Sequence, residues 1–216
     1  MVAYPFILEE LMDQKALFSL SYGIYLLTAR ENGFDNGCII NTAVQVASTP
    51  LLISISVNNQ NKTCEMIKNT GVFNLTALDD TVPFELIRRF GMQSGKDTDK
   101  FEGFRLAFPA DNGVKYIVDH GIAYLCCKVT EQIDLGSHTL FIAELTDALT
   151  LSDEPPCTYA HYHAAIKPKP QAKAPEKEGK KQWECTVCGY IYEGDELPDD
   201  FICPLCKHGK EDFVER

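Results

Sequence analysis

The 216-residue chain is 45% hydrophobic and 24% charged, which is typical of folded proteins and argues against wholesale disorder. Its formal net charge of −11 argues against a nucleic-acid partner, because phosphate binding needs clustered Lys and Arg. The N-terminal residues do not form a secretory signal, and no apolar run approaches the ~20 residues of a membrane span. We therefore expect a cytoplasmic protein without a membrane partner.

From Phe18 to about Leu151 the sequence alternates between strand-like segments and turns. Residues 51–57 place Leu, Ile and Val on one face and Leu and Ser on the other, as a half-buried strand does. Three turn signals suit hairpins: Glu31-Asn32-Gly33, Asp35-Asn36-Gly37 and Leu135-Gly136-Ser137. Two short helices are predicted, over residues 61–71 and 82–91. Many strands with few helices indicate a mainly β fold, a closed or partly closed antiparallel barrel.

The first of these helices follows directly on a strand that ends in polar residues. A helix N-terminus has unpaired N–H groups and a positive dipole, and Lys62 and Thr63 add a cation and a hydroxyl. The pattern therefore suggests an anion site. The alternative is an ordinary helix cap with a solvent-exposed lysine.

After the strand-rich region the composition changes twice. Residues 167–182 contain six Lys and two Glu among several prolines, which is typical of a solvated linker. Residues 183–216 contain nine acidic and three basic residues. The sequence thus predicts a domain over residues 1–166, a flexible linker over 167–182 and a small domain over 183–216.

Four cysteines of the small domain form two Cys-x-x-Cys pairs, Cys185 with Cys188 and Cys203 with Cys206. Two such pairs can present four thiolates tetrahedrally to zinc or to a single iron. A domain of this size also needs the metal to fold. The surrounding C-x-x-C-G-Y-x-Y and C-P-x-C motifs resemble rubredoxins, and this resemblance favours iron over zinc.

The first domain resembles the flavin reductase family with the FMN-binding split-barrel fold. The resemblance covers residues 6–167 and is strongest in NGCIINTAVQVASTPLLISISVNNQNKTCEMIKNTGVFNLTAL, SGKDTDKF and HTLFIAEL. It implies flavin contacts at Gly37, Cys38, Ile39, Asn41 and Thr42, backbone contacts at Ser56, Val57 and Asn58, and phosphate contacts at Lys62 and Thr63. Lys100, Phe101 and His163 are further candidates beside the flavin. The alternatives are an exposed Lys100 beside a core Phe101, and a packed or dimer-interface His163.

Together, the two parts resemble the high-molecular-weight rubredoxins of anaerobes. The resemblance implies an oxidoreductase that passes electrons from NAD(P)H through FMN to a four-cysteine iron centre. The next carrier would be a flavodiiron protein that reduces oxygen or nitric oxide, and the chain would form a homodimer. No catalytic acid or nucleophile is expected, because the cofactors supply the chemistry.

Two alternatives stay open from the sequence. The chain could be a non-enzymatic relay that a separate NAD(P)H reductase loads with electrons. It could also be a regulatory or binding protein in which the four cysteines hold a structural zinc.

Overall fold

The computed structural model describes residues 14–168, 181–186, 190–204 and 208–215. Its main part is one antiparallel sheet of seven strands in the order β2-β1-β5-β8-β9-β4-β3. These strands are β1 Tyr25–Glu31, β2 Phe34–Ile40, β3 Val44–Ser48, β4 Leu51–Asn58, β5 Val72–Leu78, β8 Gly121–Asp134 and β9 His138–Thr150. A separate hairpin consists of β6 Ala107–Pro109 and β7 Lys115–Ile117.

The two edges of the main sheet must lie close together in space. Strand β2 ends at Ile40 at one edge, and β3 begins at Val44 at the other. The connection between these residues can span at most about 14 Å even when fully extended. The sheet therefore curls into a partly closed barrel, which confirms the predicted mainly β barrel.

The barrel core follows the predicted alternation of side chains. In β4, Ile53, Ile55 and Val57 are buried, while the residues between them are partly exposed. They belong to a core cluster that also includes Phe73 and Phe141. Burial of this apolar face drives the curling, at about 25 cal/mol for each Å² removed from water.

One predicted hairpin turn is wrong. The β1–β2 hairpin turns at Asn32 and Gly33, which both have positive φ angles, as predicted. The Asp35-Asn36-Gly37 signal lies instead inside β2, where Gly37 pairs with Thr28. Gly37 is needed there for close packing, because a Cβ atom would lie 3.0 Å from the Leu27 carbonyl oxygen. The third predicted turn, at residues 135–137, joins β8 and β9 as expected.

The strand predicted to start at Phe18 begins only at Tyr25. Residues Gln14–Ser19 form a 3-10 helix instead. The following backbone pairs with a late segment of the chain, since Gly23 bridges to Thr158 and the Ile24 N–H bonds to the Cys157 carbonyl. Because the backbone before Tyr25 pairs with this late segment, β1 does not extend back toward Phe18.

The two predicted helices are present. Helix α1 spans Lys62–Thr70 and ends at Gly71 in the left-handed conformation. Helix α2 spans Phe84–Gly91 and follows Pro83. A third, short helix α3, Tyr159–His161, continues as a single π-helical turn over Tyr162–Ile166. No helix among the described residues is long and apolar enough to cross a membrane.

The described residues from 181 onward form a second, smaller unit, called here the C-terminal unit. Strands β10 Gln182–Cys185, β11 Ile191–Glu193 and β12 Phe213–Glu215 pair in the order β11-β10-β12. Residues 169–180 of the predicted linker lie outside the described residues. The division at 166 and 182 stays a prediction.

Candidate functional site

A polar cavity of ≈ 410 Å³ opens at the N-terminus of α1. Its lining includes Cys38, Asn61, Lys62, Thr63, Ser94 and Lys100. The chain thus brings together residues from β2, from α1 and from the segment after α2. Four of them, Cys38, Lys62, Thr63 and Lys100, are among the sequence-predicted site residues. We call this space the polar cavity.

The first turn of α1, which lines the polar cavity, leaves backbone donors without intrahelical partners. The Asn61 side chain does not cap the helix, and the first backbone bonds are donated by Cys64 and Glu65 to the Asn61 carbonyl. The N–H groups of Lys62 and Thr63 therefore lie ahead of the first intrahelical bond. This arrangement suits an anionic group.

The Thr63 side chain gives the strongest indication that the polar cavity binds a ligand. It is fully buried, and its Oγ1 has no hydrogen-bond partner of good geometry among the described residues. The hydroxyl lies near enough to the Cys38 thiol to oppose the rise in that thiol's pKa. A buried hydroxyl without a bond costs about 1–3 kcal/mol, so an oxygen atom of a bound ligand would satisfy it. The site thus fits a phosphate group.

Lys62 forms two ion pairs at the protein surface. Its Nζ lies 2.7 Å from a Glu65 oxygen and 3.6 Å from a Glu31 oxygen. The hydrogen bond to Glu65 is the main cause of a raised Lys62 pKa. The lysine is therefore a permanent cation whose charge is shared with two carboxylates.

Lys100 is buried rather than exposed. Its Nζ donates hydrogen bonds to the carbonyl oxygens of Gly37 at 2.9 Å and Phe90 at 2.8 Å. Burial lowers the pKa of Lys100, and the nearby Cys38 thiol opposes that change. Burial also raises the pKa of Cys38 to about 11, so the thiol is neutral at pH 7. The alternative of an exposed lysine is wrong.

A second cavity, of ≈ 210 Å³ and largely apolar, adjoins the polar one. Its lining includes Ile39, Asn41, Ile87, Met92, Tyr159 and Tyr162, and both cavities share Gly91 and Met92. We call this space the apolar cavity. A polar cavity beside an apolar one matches the two ends of a flavin nucleotide, a phosphate and a largely apolar ring system.

His163 lies beside the apolar cavity, although it does not line it. Its ring meets Tyr159 and Tyr162 edge-on, with centroids 4.5 and 5.2 Å apart. Partial burial, together with the charge of Lys167, lowers the His163 pKa. The imidazole is thus predominantly neutral at pH 7.

The other predicted flavin contacts do not line either cavity. The Thr42 hydroxyl holds the β2–β3 loop to β4 through two hydrogen bonds with the Ser56 backbone. The Val57 side chain is in the core, and Asn58 accepts a bond from the Gln60 N–H. Phe101 packs against Phe90 and Phe104. Gly37 contributes its carbonyl to Lys100. The roles predicted for these residues stay predictions.

Sequence reasoning missed several lining residues. Asn61 and Ser94 lie in segments that resemble the flavin reductase family, so the sequence did contain a signal for these two residues. Met92, Tyr159 and Tyr162 had no such signal, because only the packing of α2 and α3 places them at the cavities.

The predicted metal ligands lie in the C-terminal unit. The Cys185 N–H bonds to the Tyr190 carbonyl and the Cys203 N–H bonds to the His208 carbonyl, both at 2.8 Å. The first cysteine of each pair is therefore hydrogen-bonded to the residue five positions later. Cys188 and Cys206 lie outside the described residues, and within the described part of the chain no three metal-binding side chains converge.

The two described thiols are buried at the centre of the C-terminal unit. Cys185 and Cys203 share a cluster with Leu197 and Phe213. Aromatic side chains pack around this cluster: Trp183, Tyr190, Tyr192 and Phe201. Two buried thiols with matching backbone hydrogen bonds, packed among aromatic side chains, fit a four-thiolate metal centre.

Comparison with known proteins identifies the class to which these features belong. Residues 17–167 match the flavin reductase like domain family, and residues 183–214 match the rubrerythrin, rubredoxin-like domain family. Flavin reductase PheA2 superimposes with a TM-score of 0.57 at 25% identity, covering 68% of this chain and 93% of that one. The molecule is thus a flavin reductase-type barrel joined to a rubredoxin-like unit, and these domains support a flavin and an iron as cofactors.

Two relatives narrow this class. The high molecular weight rubredoxin of Moorella thermoacetica is 36% identical over 94% of this chain and all of that protein. The ferric-chelate reductase (NAD(P)H) of Archaeoglobus fulgidus is 37% identical over 73% of this chain and 93% of that protein. The chain belongs to the flavin reductase-like family, in the high-molecular-weight rubredoxin group. Family and relatives together support an NAD(P)H-dependent flavin oxidoreductase.

Proposed function

We propose that this protein oxidises NAD(P)H at a bound FMN and transfers the electrons to a four-cysteine iron centre of the same chain. The observation that supports this most directly is the buried, unpartnered hydroxyl of Thr63 at the N-terminus of α1, in a cavity that also contains Lys62 and Lys100. FMN has a terminal phosphate, which this set of donors suits, whereas riboflavin has none. The Archaeoglobus relative, whose name includes NAD(P)H, supports the choice of donor.

The chain's residues position and shield the cofactor rather than react with it. The N–H groups and hydroxyl at Lys62 and Thr63 bind the phosphate, with the Lys62 cation beside them. The apolar cavity excludes water around the ring through Ile39, Tyr159 and Tyr162. Lys100 holds β2 against the end of α2, so that both cavities keep their shape.

The bound flavin would accept two electrons with a hydride and release them one at a time. One NAD(P)H oxidised to NAD(P)⁺ would therefore reduce two ferric centres to ferrous and release one proton. The cysteines Cys185, Cys188, Cys203 and Cys206 would hold the iron, which would take up and release one electron at a time. No side chain has to donate or accept a proton at the iron.

The acceptor proposed for these electrons is a flavodiiron-type protein. The C-terminal residues 183–216, with nine acidic and three basic side chains, suit a basic docking patch on that acceptor. Electron transfer to it should therefore slow as the salt concentration rises. The cytoplasmic location stays a prediction.

The homodimer expected from the sequence is also part of the proposal. The edge strand β3 leaves Val44 and Val46 more than half exposed, at 54% and 51%, and Leu51 of the neighbouring β4 is 45% exposed. Exposed apolar side chains on an unpaired strand edge are a common site of subunit contact. Analytical ultracentrifugation of the full chain would test it, and a monomer at micromolar concentration would contradict it.

Anaerobic titration of the purified protein with NADH and with NADPH tests the function. Bleaching of the flavin band and then of the iron–thiolate band is the expected result. Reduction only after adding a separate reductase would favour the relay alternative. A colourless protein with equimolar zinc, prepared from iron-replete cells, would favour the structural-zinc alternative.

A further inference from the structure

One barrel residue, Met92, contacts both the C-terminal unit and the two cavities. It follows α2, is 9% exposed, and belongs to the same cluster as Cys185, Leu197, Cys203 and Phe213. Phe84, at the start of α2, packs against this cluster and also against the barrel core around Phe90. Among the described residues these two are the barrel side chains of the cluster.

The same region borders the proposed flavin site. Met92 lines both the polar and the apolar cavity. His208 of the C-terminal unit lines the polar cavity, beside Lys62 and Thr63. The Cys203 N–H donates a hydrogen bond to the His208 carbonyl oxygen, so a residue that lines the polar cavity is bonded directly to one of the buried cysteines.

We propose that Phe84 and Met92 form the surface on which the C-terminal unit docks to receive electrons from the flavin of its own chain. The inference rests on the proposed function. In this position one electron leaves the reduced flavin and converts Fe(III) to Fe(II), with no bond made or broken at the cysteines. The barrel contributes few side chains to this contact. An interface of such small area is typical of contacts that form and separate readily. The unit can then leave to meet the external acceptor.

The substitution Phe84→Glu tests this in the full-length, iron-loaded protein, because Phe84 lines neither cavity. Its carboxylate would face a strongly acidic unit, and a Glu at the first position of α2 suits the helix dipole. After anaerobic mixing with NADH or NADPH, the flavin band should bleach at the wild-type rate. The iron band should bleach at least tenfold more slowly than in the wild type.

Three further variants make the result specific. Leu149→Glu places the same charge on a 53%-exposed residue of β9 outside the described clusters, and should transfer electrons like the wild type. Met92→Glu should slow iron bleaching as Phe84→Glu does. Phe84→Leu keeps an apolar side chain at the contact without touching either cavity, and should retain the wild-type rate of iron reduction.

A second readout does not depend on activity. Small-angle scattering of the Phe84→Glu protein should give a larger radius of gyration than the wild type and Leu149→Glu, because the undocked unit samples more extended positions. Wild-type iron bleaching in both the Phe84→Glu and Met92→Glu proteins, or an unchanged radius of gyration, would overturn the docking assignment. Failure of NAD(P)H to bleach even the wild-type flavin would instead contradict the proposed function.

Discussion

The Nζ atom of Lys100 donates a 2.9 Å hydrogen bond to the carbonyl oxygen of Gly37, 63 residues earlier in the chain. A second bond to the Phe90 carbonyl ties the same lysine to the end of α2. One buried lysine thus joins the strand and the helix that enclose the polar cavity. The contact links the stability of the barrel to the shape of its proposed cofactor site.

Replacing this lysine should destabilise the barrel. In Lys100→Met two buried carbonyl oxygens lose their donor, and the free energy of unfolding should fall by about 2 kcal/mol. Urea unfolding followed by far-UV circular dichroism measures the change. Lys96→Met is the matched control, because Lys96 also lines the polar cavity but is exposed, and its effect should stay within about 0.5 kcal/mol. Equal effects would contradict the structural role of Lys100.

The Thr63 hydroxyl should matter for the phosphate and not for folding. Thr63→Val keeps the shape and removes an unsatisfied polar group, so the flavin-free protein should be no less stable. Its FMN dissociation constant should rise by about 10- to 100-fold, which corresponds to the free energy of one lost hydrogen bond to a charged group. Fluorescence titration measures binding, with riboflavin as the control ligand because it lacks the phosphate. An equal loss of riboflavin affinity would show that the phosphate does not bind at Thr63.

Glu65 should compete with the bound phosphate for Lys62. It lies 2.7 Å from the lysine Nζ and is the main cause of that lysine's raised pKa. In Glu65→Gln the cation is less neutralised, so FMN should bind about two- to fivefold more tightly at low salt. The gain should shrink as salt rises. Weaker binding of FMN to this variant would show that Lys62 does not face the phosphate.

The contribution of Asp79 to the stability of the folded protein should depend on pH. Partial burial alone would raise the Asp79 pKa, but hydrogen bonds from Thr81 and His120 outweigh it, and the pKa lies below its usual range. The folded state therefore favours the carboxylate. Its stabilisation is fully present above the unfolded pKa of about 3.9 and disappears as the pH falls through the lower folded value.

Asp79→Asn tests this dependence through urea unfolding of both proteins from pH 7 down to pH 3. The variant should be less stable than the wild type at pH 7, and the difference should narrow below about pH 4. A difference that is constant with pH would mean that hydrogen-bond geometry, rather than ionisation, decides the effect.

Loss of one metal ligand should affect only the C-terminal unit. In Cys203→Ser a buried cysteine that we propose as a thiolate ligand is replaced by a poorer ligand, and the metal would supply most of the folding energy of such a unit. We expect loss of the iron–thiolate band, while FMN affinity stays within about twofold of the wild type. Cys157→Ser is the control, because Cys157 is a buried barrel cysteine outside the predicted ligand set. Loss of iron from Cys157→Ser alone would contradict the assigned ligands.

The failed predictions show what local patterns miss. The Asp35-Asn36-Gly37 segment has ideal turn residues, yet it forms part of β2, because Asn32 and Gly33 already close the hairpin. Gly37 serves close packing between Leu27 and Phe90 instead of a turn. Lys100 could be read from the sequence as an exposed cation, and only its long-range carbonyl partners explain its burial.

The sequence by itself determined the mainly β barrel, the two helices and the paired cysteines, and it predicted an anion site at Lys62 and Thr63. These features depend on periodicity, helix-end chemistry and short spacings, which act over a few residues. The tertiary structure alone decided that Cys38, Thr63 and Lys100 share one cavity, and that Met92 lies between this cavity and the C-terminal unit. Those relationships arise when distant segments pack together, and no local pattern encodes which of them will meet.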